Sequence, residues 1–116
     1  MGAATNWTPV LSCGSGTLTS ASVITAQYTR IGQLVTFFVR VNITTNGTCG
    51  TYVNVTAPFT AVPGDCTVAG REDAVNGIML QGLVRGNNII ILKYDNTYPG
   101  VNSAALIVNG TCFAPF

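Results

Sequence analysis

The stretch LVTFFVRVNIT, residues 34–44, decides the fold class. Val35, Phe37, Val39, Val41 and Ile43 fall on one side of an extended chain, and Leu34, Thr36, Phe38, Arg40, Asn42 and Thr44 fall on the other. Alternation with period two is the pattern of a β-strand that has one face on a core and one mostly in water. Phe38 breaks the rule by putting an aromatic on the polar side. Just upstream, SVITAQYTRIG (residues 22–32) reads as the partner strand, and Ile31-Gly32-Gln33 as the tight connection between them. The pair is expected to be a hairpin at the centre of a sheet.

Outward from this hairpin the β pattern continues. TYVNVTA (51–57) follows the turn TTNGTCG and ends at Pro58. CTVAG (66–70) is bounded by VPGD (62–65) and GRED. In GIMLQGLVR (77–85) Gly82 marks a bulge or a close approach of backbone. NIIILKY (88–94) follows RGNN, and AALIVNGTCF (104–113) closes the series. With a segment around WTPVL (7–11) this makes about eight short strands and no helix, which predicts an all-β, antiparallel two-sheet sandwich, jelly-roll-like, in one domain over residues 1–116. Met1-Gly2 reads as an added start, with Ala3 onward cut from a longer chain.

Composition narrows the function. Charged residues make up 8% of the chain, against about 25% in a typical soluble domain. Thr, Asn, Ser and Gly take their place, so little repulsion keeps copies apart. The net charge is +1 and Arg30, Arg40, Arg71, Arg85 and Lys93 are scattered, which argues against nucleic acid. No apolar run approaches the roughly 20 residues of a spanning helix, so no membrane insertion is expected. In NIIILKY, Ile89, Ile90, Ile91 and Leu92 place apolar groups on both faces of the strand. Either a loop or a second subunit covers the outer face, and the second fits the low charge, two or three such Ile at about 1.5–3 kcal/mol each being enough to hold a trimer.

Cys13, Cys49, Cys66 and Cys112 form no C-x-x-C pair, and the chain has no His, so neither a metal nor any other cofactor is expected. Four cysteines permit three disulfide pairings, Cys13–Cys112 with Cys49–Cys66 among them. The preferred reading is four reduced, small, buried residues. Asn6, Asn42, Asn46, Asn54 and Asn109 each begin an N-x-[ST] triplet, which a chain rich in Asn and Thr produces by composition.

Without His no nucleophile–base pair assembles unless Lys93 serves as the base, and no enzyme is expected. Glu72 and Asp73 are adjacent, so in a strand they face opposite ways, and in a turn they solvate a loop; a glycosidase needs two carboxyls flanking one bond. Trp7 reads as a plug at the chain's entry, with Pro9 setting the exit angle, in preference to a sugar-stacking platform. Arg30 beside the hairpin turn reads equally as solvated or as paired with an acid or a carbonyl across a trimer. The best binding loop is YDNTYPGVNS (94–103), with Asp95, Asn96, Tyr98 and Asn102. Sugar recognition uses planar amides and carboxylates on hydroxyls together with an aromatic stack. TTNGTCGTY (44–52), with Asn46 and Tyr52, is second.

Four stretches together carry a resemblance. NWTPVL (6–11), YTRIGQLVTFFVRVNIT (28–44), VNVTAPFTA (53–61) and ALIVNGTCF (105–113) resemble the C-terminal receptor-binding domains of bacteriophage tail fibres and tail spikes. The most specific part is Tyr28-Thr29-Arg30-Ile31-Gly32 combined with Trp7-Thr8-Pro9. The resemblance implies a homotrimeric head at the tip of a fibre, made in the bacterial cytoplasm and carried on the virion, that attaches to a host cell-surface glycan or protein receptor. A structural cap without a ligand, or a glycan-cleaving spike domain, are the alternatives. Ala57 stands where Leu is common in that family, Cys112-Phe113 stands where an aromatic directly follows Thr, and four cysteines are unusual there. The family's binding residues vary, so none transfers by motif.

Overall fold

The computed structural model describes residues 4–61 and 66–114. Among the described residues, nine strands form in chain order: β1 (Thr5–Asn6), β2 (Leu11–Ser15), β3 (Ser20–Ile31), β4 (Leu34–Thr45), β5 (Gly50–Thr56), β6 (Cys66–Glu72), β7 (Met79–Arg85), β8 (Asn88–Lys93) and β9 (Ala105–Phe113). The expected eight become nine because the segment around WTPVL splits into β1 and β2, with Pro9 between them. Every pairing is antiparallel, and the described residues contain no helix. All nine strands belong to one hydrogen-bonded sheet in the order β1-β3-β4-β9-β6-β7-β8-β5-β2, curled as a half-barrel.

The N-terminal segment ties the two edges of this sheet together. β1 pairs with β3 at one edge and β2 with β5 at the other. Between them the Trp7 N–H donates to Ala26 O at 3.1 Å, while its indole Nε1 donates to Thr56 O at 2.8 Å. The Trp7 ring meets Tyr28 edge-on at 6.0 Å. Trp7 is thus a brace across the open side of the curl, as the plug reading predicts.

The alternation of residues 34–44 is realised. Val35, Phe37, Val39, Val41 and Ile43 are all buried, and Phe37 packs against Phe59 at 5.7 Å. The hairpin turns at Gly32-Gln33, where Gly32 takes φ +60 and Ile31 stands opposite Leu34. This hairpin is not at the centre of the sheet: beyond β3 lies only the two-residue β1. A register shift between Val23 and Thr25 leaves Ile24 as an extra, exposed residue, the signature of a β-bulge. The Gly82 expectation holds as a close approach, since a Cβ there would overlap the Ile90 carbonyl oxygen.

Two expectations need correcting. All four cysteines are paired, as Cys13–Cys49 and Cys66–Cys112, with Cα separations of 5.8 and 5.6 Å. β6 runs beside β9 with Val68 opposite Gly110, so the same ladder extended two residues brings Cys66 against Cys112. In β2 Cys13 itself stands opposite Val53 of β5, and it is the register shift between Cys13 and Ser15 that brings it within reach of Cys49, the residue before β5. Neither pairing follows from chain spacing, because both depend on strand order. The second correction concerns β8, which alternates. Ile89 and Ile91 have no exposed surface within the chain itself, whereas Ile90 and Leu92 lie half-buried on the outer face. A subunit contact through β8 has only those two side chains to use. The turn expected at residues 62–65, which includes Asp65, and the start at Met1-Gly2 lie outside the described residues.

Candidate functional site

Antiparallel strands deliver four connections, residues 16–19, 46–49, 73–78 and 94–104, to one end of the sheet. The two loops singled out from the sequence therefore meet. Asn46 N–H donates to Asn102 Oδ1 at 2.8 Å, the Tyr98 hydroxyl donates to Asn46 Oδ1, and Asn46 Nδ2 donates to Cys49 O at 3.1 Å. Three of the six expected ligand-binding residues are brought together, and the Tyr98 hydroxyl, the Asn46 Oδ1 and the Asn102 Oδ1 are occupied in bracing one loop against the other. Burial pushes the Tyr98 phenol up to about 12.

The other three are placed differently. Asp95 accepts from both the hydroxyl and the N–H of Thr97, a local turn, and the hydroxyl bond is the main reason its carboxyl sits below the ordinary value. Asn96 is exposed with φ +69, a conformation Asn tolerates. Tyr52 lies apart from the loop cluster, on β5, with its ring against Gly14 of β2. Of the five N-x-[ST] asparagines, four lie in strands (Asn6, Asn42, Asn54 and Asn109), and only Asn46 is in a loop.

Glu72 departs most from its sequence reading. It does not solvate a turn; its side chain has no exposed surface. Oε1 accepts from the N–H groups of Val75, Asn76 and Gly77 at 2.7, 2.8 and 3.3 Å. Oε2 accepts from those of Ala74 and Ala105 at 2.9 and 2.8 Å. Burial raises the carboxyl's pKa, but the backbone donors, Ala105 foremost, lower it by more and bring it to about 2. Its neighbour Asp73 faces the surface, 3.6 Å from Arg40 Nη1. The two adjacent carboxyls thus flank no common cleft. Arg30 Nη1 donates to Ala114 O at 3.1 Å and to Gly32 O at 3.3 Å, both in its own chain.

A second surface lies away from the loops, on the outer face of β3, β4 and β9. Cross-strand register sets Gln27, Phe38 and Asn109 side by side in one row, and Thr29, Thr36 and Thr111 in the next. Between the rows runs a groove of about 440 Å³ whose floor is the backbone of Tyr28, Phe37 and Gly110. Phe38 is 37% exposed, and the Thr36 and Thr111 hydroxyls are 3.3 Å apart. Toward the hairpin turn a third row, Ile31, Leu34 and Phe113, is apolar and exposed. The alternation of residues 34–44 already turned Phe38 outward. Gln27 follows from the register of the hairpin, but Asn109 could not be read, because β4 meets β9 only through the long connection of residues 46–104.

No family model, curated protein or solved structure matches this chain. The two surfaces are accordingly read from their own chemistry.

Proposed function

We propose that this domain is a recognition module: the receptor-binding head of a phage tail fibre, attaching the virion to a glycan or other receptor on the host surface. The observation that carries this reading is the outer face of β3, β4 and β9, where an exposed aromatic stands between two amides beside a row of hydroxyls. Planar amides, hydroxyls and one apolar ring are the groups that hold sugars. They are mounted on paired strands, so little ordering accompanies binding. The curl of the sheet, which gathers inward residues of β4, β5, β8 and β9 into one core, supports a jelly-roll-like sandwich as the scaffold. Two disulfides suit a surface that works outside the cell.

The row of Ile31, Leu34 and Phe113 favours self-association as well, and with it a second reading, a trimeric structural cap. Two measurements on the disulfide-intact domain separate these readings. An array of bacterial surface polysaccharides should show selective binding, and light scattering should give three times the chain's 12.1 kDa. A trimer that binds no polysaccharide supports the cap. A monomer that binds none overturns both readings.

A further inference from the structure

From the groove on β3, β4 and β9 we infer a binding site for a neutral saccharide, with Phe38 beneath a pyranose ring and Gln27 and Asn109 on its flanking hydroxyls. This rests on the recognition function proposed above and names its site and ligand class. Three features of the groove select the ligand. Among the described residues no charged side chain lines it, and the next outward side chain on β4, Arg40, is engaged by Asp73 at 3.6 Å. A sulfated or carboxylated sugar would find no free cation there. β4 and β9 are paired with neighbours on both sides, and β1 pairs with Gln27 and Tyr28 of β3, so at the aromatic row a peptide has no edge on which to add a strand. A ligand meets side chains only, and these offer one apolar ring among hydrogen-bonding groups that both donate and accept.

The amides also differ from those at the loop end. Asn46 is committed to internal bonds through both atoms of its amide, and Asn102 through its Oδ1. Among the described residues, no hydrogen bond within the protein engages the side-chain amides of Gln27 or Asn109. Thr29, Thr36 and Thr111 extend the site by one step along the strands, about 6.8 Å, so an oligosaccharide gains contacts that a monosaccharide lacks.

The test titrates ¹⁵N-labelled, disulfide-intact domain with neutral oligosaccharides of glucose, galactose, mannose and N-acetylglucosamine, and with sialylated and sulfated ones. The expected result is amide shifts at residues 27–29, 36–38 and 109–111 with a neutral oligosaccharide. Phe38→Ala should weaken binding tenfold or more at unchanged melting temperature, and Phe38→Trp should preserve it. Shifts confined to residues 46 and 95–102, or binding of acidic sugars only, overturn this site while leaving glycan recognition standing. If no saccharide binds and Phe38→Ala changes the molar mass, the face is a contact between copies. In that case both the site and glycan recognition fall.

Discussion

Replacing Glu72 by Gln tests the least expected feature of the fold. The carboxylate accepts five backbone N–H groups, three on Oε1 and two on Oε2. A glutamine carbonyl can keep the three bonds of Val75, Asn76 and Gly77. Its NH₂ then stands where Oε2 was, facing the N–H groups of Ala74 and Ala105, which lose their acceptor. Each buried donor left unsatisfied costs about 1–3 kcal/mol, and the retained bonds lose their charge assistance. Linkage provides an independent figure. A carboxyl lowered from 4.5 to about 2 corresponds to about 3.5 kcal/mol at roughly 1.4 kcal/mol per pH unit. The loop over Glu72 is a single layer with solvent beyond it, so about 2–3 kcal/mol is the expected loss at pH 7.

The sign is definite. The folded-state pKa lies below the unfolded value, so this stability is fully present above pH 4.5 and is lost as pH falls from 4.5 toward 2. Urea denaturation of both proteins without reductant, followed by the fluorescence of Trp7, measures the gap at each pH. The aspartates titrate in both proteins and cancel in the difference. A gap of about 2–3 kcal/mol at pH 7 that closes near pH 2 is expected. A gap below about 0.5 kcal/mol at pH 7, within the usual range for surface substitutions, would refute the cradle. So would a gap that persists unchanged at pH 2.

The remaining expectations concern other parts of the frame. Replacing Cys66 and Cys112 together by Ala opens a 46-residue loop, and replacing Cys13 and Cys49 opens one of 36; the loop-entropy relation assigns each a loss of about 4 kcal/mol. A loss under about 1 kcal/mol in denaturant titrations, or free thiols in the untreated protein, would contradict the pairing. Gly82→Ala should break the β7–β8 ladder, because its Cβ overlaps the Ile90 carbonyl; Gly86→Ala, where no atom lies within 4 Å and only φ +60 is strained, should cost about 1–2 kcal/mol. Comparable melting temperatures for the two variants would count against the close approach. The Tyr98 phenol, raised from 10.0 to about 12 by burial, makes the fold lose stability as pH rises from 10 toward 12. Tyr98→Phe should flatten that window in thermal melts, and an unchanged slope would reject the buried Tyr98–Asn46 brace.

Local pattern alone determined the strands. The alternation of residues 34–44, the glycine at the hairpin turn and the outward Phe38 are properties of neighbours a few residues apart, where side-chain direction follows from a two-residue period. The plug role of Trp7 and the close approach at Gly82 were legible for the same reason, since Pro9 and a glycine within an apolar strand are local signals. Strand order is a different matter. That β4 pairs with β9 and β6 lies beyond it, that Cys66 faces Cys112, and that Asn109 joins the row of Gln27 and Phe38 are consequences of contacts between distant segments. Glu72 makes the point most sharply. In GREDAVNG it is one charge in a polar turn, and only the return of β9 beside β6 supplies the Ala105 N–H that completes its cradle and closes it to water. Burial of a charge depends on how many donors converge on it, and convergence is set by the packed chain.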